Sequence, residues 1–118
     1  VRLVHRPQSS EADRVLATDL EFADSLWAKT RGLMFRRAIP EDYGLVFRFE
    51  TVKSRDLHML FVPFRIDAVW IVDNEVTAVK QLRPWIGLGR ASADTIVELP
   101  AGVAEAVSPG DTLEIIDC

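Results

Sequence analysis

The chain has 118 residues, the size of one domain, and 48% of them are hydrophobic, enough to bury roughly two thirds of the surface the unfolded chain would expose. Its net charge of −4 lacks the basic excess with which nucleic-acid modules neutralise phosphate, which argues against a nucleic-acid partner. Cys118 is the only cysteine, so no disulfide can form within the chain, and no run approaches the ~18 apolar residues of a membrane span. Residues Val1 to Pro7 lack the apolar core of a signal peptide, and a cytoplasmic location is the default expectation.

After a short apolar start, Pro7 to Glu11 reads as a polar loop. From Val15 to Phe22, the residues Leu16, Thr18, Leu20 and Phe22 alternate with Asp19 and Glu21, the period of a half-buried strand. Asp24 or Ser25 then caps a short helix over Leu26 to Arg31, which Gly32 ends in the left-handed conformation. Leu45, Phe47 and Phe49 alternate with Val46 and Arg48. Apolar strands follow over Leu57 to Val62 and Ile66 to Val72, and Pro63 between them predicts an edge, a bulge or a break. Asp73-Asn74 is a turn signal from which Val76 to Leu82 pairs back as a hairpin. Thr95 to Leu99 and Thr112 to Ile116 close the set, separated by a helical turn over Gly102 to Val107 and a tight turn at Ser108-Pro109-Gly110-Asp111. No βαβ rhythm is present. The expected fold is mainly β (α+β): a small, partly closed β-barrel of about seven short strands with one or two short helices, a single domain over residues 1–118.

Chemistry-bearing residues are few. Gly87-Leu88-Gly89-Arg90 lacks both the third glycine and the Gly-Lys-Ser/Thr of phosphate loops, and a strand rather than a helix follows it, so it reads as a connector. Two histidines and a terminal cysteine supply no dense nitrogen and sulfur ligand set, so neither a metal nor a cofactor is expected. His58 sits in the apolar stretch Leu57 to Val62, where a buried imidazole needs a hydrogen-bond partner, and Asp67 in the next strand has the same need. Their odd separation puts them on opposite faces of one regular strand, and a bulge at Pro63 would restore a shared face. Such a pair either orients the strand or forms an acid–base site in which Asp67 orients His58. The arginines fall in near pairs, Arg36/Arg37, Arg48/Arg55 and Arg83/Arg90. They are either solvated charge or an anion site, because guanidinium forks suit carboxylates and phosphates. Trp85, beside Pro84, either caps the core or lines the mouth of a pocket.

Several blocks together resemble a known family. Arg31-Gly32-Leu33-Met34-Phe35-Arg36 and Pro40-Glu41-Asp42-Tyr43-Gly44-Leu45 come first, then His58-Met59 through Phe64-Arg65-Ile66-Asp67. Leu82-Arg83-Pro84-Trp85, Glu98-Leu99-Pro100-Ala101-Gly102 and Gly110-Asp111 complete the pattern. Over residues 14–116 this order and spacing is similar to domain-of-unknown-function family 192, also catalogued as uncharacterised protein family 0127. Arg65 departs from it, standing where the family often has proline, and Leu60-Phe61-Val62 replaces the polar Lys-Asn-Thr run of one branch. The resemblance implies a compact β-rich fold and no particular reaction, substrate or cofactor. Gly32, Gly44, Gly102 and Gly110 suit turns and caps. Arg36, His58, Asp67, Arg83 and Trp85 are harder to explain as backbone devices and form the candidate site. The expected function is a binding module for a small polar or anionic ligand or a peptide segment, its small-molecule or protein partner unidentified. The alternatives are an assembly module using a sheet edge near Pro63, and a hydrolase-like enzyme with His58 as base and Asp67 as its orienter.

Overall fold

The computed structural model describes residues 1–23 and 32–117. Within them lie the strands β1 (Arg2–Arg6), β2 (Arg14–Ala17), β3 (Asp19–Phe22), β4 (Tyr43–His58), β5 (Ile66–Val72), β6 (Glu75–Leu82), β7 (Leu88–Pro100) and β8 (Thr112–Ile116). They form one sheet in the order β2-β1-β8-β6-β5-β7-β4-β3. The near-continuous apolar run of β5 is that of a strand buried on both faces. Ile66, Ala68 and Trp70 point into one cluster, and Val69 and Ile71 into the other. Asp73 and Asn74 both adopt left-handed φ, 48° and 67°, the geometry that lets a two-residue turn join twisted antiparallel strands.

Five expectations are corrected. The sheet is open, not a partly closed barrel: β2 and β3 are its two edges and no ladder joins them. The stretch expected as one strand over Val15 to Phe22 divides at Thr18, pairing antiparallel with β1 before it and parallel with β4 after it. The N–H groups of Thr18 and Asp19 both donate to the Asp42 carbonyl, each at 3.0 Å, so the chain bends there and the sheet curls without closing. Arg2–Arg6, expected only as a short apolar start, is a further strand and pairs with β8. Leu57 to Val62 is not a strand of its own, since β4 ends at His58 and residues 59–65 form a loop. Pro63 is therefore in a loop and not on a sheet edge. The segment Gly102 to Val107 is a succession of turns, because the Asp67 carboxylate captures the Gly102 and Ala104 N–H groups at 2.9 Å each. The helix expected over Leu26 to Arg31 lies outside the described residues.

A register break bends the long strands. Between Arg48 and Lys53, β4 takes five steps while β7 takes two, and the far halves of both strands fold back as an arm over one face of β5. Arg55 holds the excursion, donating from Nη2 to the Thr51 carbonyl at 2.7 Å with its guanidinium 3.8 Å from the Phe49 ring centre. Trp70 fills the space beneath the arm. Its ring is buried, and Nε1–H donates to the Arg55 carbonyl at 3.0 Å. On the other side of β5 the seam is thin, because β6 and β8 share the single pair Glu75–Thr112. Asp111 reinforces it by accepting from the Gln8 and Ser108 N–H groups at 3.0 and 2.9 Å, with His5 Nε2 2.7 Å from Oδ2. Burial pushes that carboxyl up, but the donated hydrogen bonds and His5 outweigh it and hold Asp111 below the usual range.

Gly89 tests the arm. A Cβ there would lie 2.5 Å from Cη2 of Trp70, which has no space to move. Gly89→Ala is expected to destabilise the protein by about 2 kcal/mol through overpacking, measured as a lower urea midpoint. An unchanged midpoint would mean the arm is not packed against Trp70.

Candidate functional site

Asp67 and His58 do not form a pair. Asp67 is 4% exposed; its Oδ2 accepts the two N–H groups of the 102–107 turn and its Oδ1 accepts Gln81 Nε2–H at 3.3 Å. His58 is exposed at the end of β4, where Nδ1 accepts the Leu60 N–H at 3.2 Å. The two side chains line separate clefts. The reason is topological: the chain leaves β4 at His58 and begins β5 at Ile66, so no bulge within one strand brings the residues to a common face.

Arg36 is committed inside the protein. Nη1 donates to the Tyr43 hydroxyl at 2.9 Å, Nη2 lies 3.0 Å from both Glu21 carboxylate oxygens, and the Tyr43 hydroxyl donates to Glu21 Oε1 at 2.8 Å. Burial and Glu21 push the Tyr43 hydroxyl above its ordinary range, against the opposing charge of Arg36. Glu98 of β7 is 5% exposed, and burial pushes its carboxyl up to about 7, with Arg36 acting in the opposite direction. Gly32 covers it at a left-handed φ of +51°, where a Cβ would come within 3.4 Å of both Glu98 Oε1 and Phe47 Cζ. Sequence reasoning passed over Glu98, although an acid between Val97 and Leu99 in a strand buried on both faces is the same signal that singled out Asp67.

The end of β4, the start of β7 and β6 enclose a cleft of about 560 Å³. His58, Lys80 and Arg90 contribute its basic groups, Asp56 an acid, and Leu57 and Leu88 apolar surface. The register that pairs Asp56 with Arg90 fixes their ion pair, in which Nη2 lies 2.9 Å from Oδ2 and Nε–H meets the second oxygen. Lys80 Nζ donates to the Leu88 carbonyl.

Beside this cleft three loops meet, residues 32–40, 59–65 and 83–87. Phe61 stacks on Phe35 with ring centres 5.0 Å apart and meets Trp85 edge-on at 5.7 Å. Phe35, Phe61 and Trp85 all hold positive φ, 69°, 61° and 65°, a conformation costing roughly 1 kcal/mol or more at each non-glycine residue. Backbone bonds lock the loops together: Phe35 N–H to the Phe61 carbonyl at 2.8 Å, Met59 N–H to Gly87 at 3.0 Å and Trp85 N–H to Val62 at 3.1 Å. Buried Leu33, Met59 and Val62 anchor the same loops. Gly87 allows the close turn, since a Cβ there would lie 2.8 Å from the backbone of Arg83. The Arg83 side chain is exposed and makes no ion pair among the described residues. Phe35 and Phe61 were not among the candidates read from sequence, where Phe61 fell in the apolar stretch Leu57 to Val62 and Phe35 in the family-like block Arg31 to Arg36.

Fold and surfaces together define a mainly β domain with one open, curled sheet and a basic cleft beside a cluster of exposed rings. Residues 8–115 match the profile of the DUF192 family, described as an uncharacterised ACR, and the chain belongs to that family. It is 31% identical over 101 residues to a UPF0127 protein of Thermococcus sibiricus, a match covering 80% of the chain and 64% of that relative's length. Its fold is similar to that of a Sinorhizobium meliloti protein provisionally described as a transcription regulator, with a TM-score of 0.82 and 25% identity over 96% of this chain and 92% of the other. A protein of unknown function from Novosphingobium aromaticivorans shares the fold at a TM-score of 0.80 and 20% identity, over 98% of this chain and 84% of that one. Among the described residues no helix is long and apolar enough to cross a membrane.

The folded state holds the Glu98 proton more tightly than the unfolded chain, whose carboxyl has a pKa of 4.5. The stability linked to this carboxyl is therefore fully present below about pH 4.5 and is lost as pH rises through about 7. Glu98→Gln is expected to match the parent protein at about pH 4 and to exceed it at about pH 8, by on the order of 3 kcal/mol. Thermal unfolding of both proteins across this range checks it; parallel curves would exclude a buried, titrating Glu98.

Proposed function

We propose that the protein is a binding module for a small anionic ligand or the acidic part of a peptide segment, seated in the cleft between the end of β4 and the start of β7. What supports this reading is the convergence of His58, Lys80 and Arg90 over the apolar Leu57 and Leu88, a combination of apolar lining and a few placed polar groups that suits a ligand site. Arg90 offers a fork and Lys80 a point charge. An incoming carboxylate or phosphate would exchange with Asp56 for the guanidinium and with the Leu88 carbonyl for the ammonium. Arg83 and Trp85 stand in the 83–87 loop, which leads into β7 at Leu88, and do not line the cleft. Arg36 and Asp67 act as supports, the first holding the turn after Gly32 to Glu21 and Tyr43, the second holding the 102–107 turn to β5. The acid–base reading has no formed pair behind it. The interaction reading keeps one observation in its favour, the exposed rings.

Titration with orthophosphate and then citrate, followed by amide NMR, tests the cleft. Shifts are expected at residues 56–58, 80 and 88–90, and Lys80→Ala/Arg90→Ala is expected to weaken binding at least ~tenfold, because each charge-assisted bond is worth about 1.5–3 kcal/mol. Shifts scattered over the surface, or an affinity indifferent to the double substitution, would remove the cleft as the site.

A further inference from the structure

The loops 32–40, 59–65 and 83–87 differ in charge from the rest of the molecule. They carry Arg36, Arg37, Arg65 and Arg83 and none of the 18 Asp and Glu residues, which leaves ten basic side chains against 18 acidic ones elsewhere. Arg37, Arg65 and Arg83 are exposed and form no ion pair among the described residues. Arg65 and Arg83 flank Ile66–Leu82, the last pair of β5 and β6, at the root of two of the loops. Phe35, Ile86 and Trp85 are 65%, 70% and 50% exposed, and Leu60 and Phe61 are exposed beside them. None of these five side chains lines the cleft between β4, β6 and β7.

We propose that this face docks onto the surface of an anionic lipid bilayer, with the apolar tips entering the interface and the arginines pairing with headgroups. The inference goes beyond the cleft and does not require it to be filled. Projecting aromatic and aliphatic side chains ringed by cations match the depth and charge of the headgroup boundary. The acidic remainder of the molecule is repelled by the same surface, so the charge distribution sets the orientation. A peptide would need a concave seat. A single strand of nucleic acid would need free ring faces for stacking, and Phe35 and Phe61 already stack on each other. The shared backbone bonds of the loops hold the tips as one rigid unit.

Co-sedimentation of the full chain with vesicles tests the proposal, using phosphatidylcholine alone and phosphatidylcholine mixed equally with phosphatidylglycerol. Binding is expected to the mixed vesicles, to weaken with salt, and to be much lower for phosphatidylcholine alone. Phe35→Asp/Ile86→Asp is expected to abolish it. Arg65→Glu/Arg83→Glu is expected to weaken it at least ~tenfold, each basic side chain near an anionic surface being worth about fivefold. Val52→Asp, which changes an exposed apolar residue on the β4 excursion, is expected to have no effect. Failure to sediment with the mixed vesicles overturns the proposal, as does binding that neither double substitution alters. So does capture of a glutamate-rich peptide or an oligothymidylate through these residues while vesicles stay unbound. The phosphate and citrate titration is read separately, so a failed cleft and a failed docking face are distinguishable.

Discussion

The structure depends on burying both faces of β5. That strand is hydrogen-bonded on each side, to β6 and to β7, and its side chains alternate between two apolar clusters. A strand in this position obliges the rest of the chain to supply two covers. One comes from β1, β2, β8 and the 102–107 turn, through Leu3, Leu16, Leu113 and Ala104. The other comes from the β4–β7 arm and the turn after Gly32, through Met59, Ala93 and Leu33. Trp70 is the largest single contribution. Burying about 150–250 Å² of indole at ~25 cal/mol per Å² supplies at most about 4–6 kcal/mol, comparable with the whole net stability of a small domain. The loops of the docking face are the places where this second cover turns.

Two dry faces also set the terms for every polar group between them. Asp67 is answered by three donors, two of them backbone N–H groups that would otherwise begin a helix, so one carboxylate both satisfies itself and decides the conformation of residues 102–107. Glu98 receives no hydrogen bond among the described residues, and the raised affinity for its proton is the alternative route to the same end. The contrast lies in the geometry of the covers. Asp67 faces a turn with free N–H groups, whereas Glu98 faces Gly32 and the ring of Phe47.

What the sequence made legible was local. Asp73-Asn74 sets its own backbone angles, and the apolar run before it and the hairpin it signals gave β5 and β6 nearly to the residue. Pro63, read as an edge, a bulge or a break, lies in the loop between β4 and β5. Non-local pairings were not legible: Thr18 is an unremarkable threonine until Asp42 accepts its N–H, and nothing in Phe49-Glu50-Thr51-Val52 announces that β4 outruns β7. For the candidate site, Asp67 was legible as a polar group needing partners, but Gly102 and Ala104 lie 35 and 37 residues away. His58 was misread because its neighbours are apolar. Alternation buries Met59 and turns His58 outward, so the exposed imidazole followed from the pattern and the buried one did not.

The exposed rings pose a separate energetic question. Two aromatic contacts join Phe35, Phe61 and Trp85, each worth about 0.5–1.5 kcal/mol. Three left-handed residues cost roughly 1–2 kcal/mol each, so the cluster gains little or nothing in net stability. Burial does not explain it either, because Leu33, Met59 and Val62 already anchor the loops while the adjacent rings point out. Strain of this kind persists where surrounding structure enforces it and tends to gather at functional surfaces. Here the enforcement is visible in the backbone bonds from Phe35 to Phe61, from Met59 to Gly87 and from Trp85 to Val62. Folding energetics leave the placement of the rings unexplained, and strained, exposed rings held by rigid loops are what a docking surface requires.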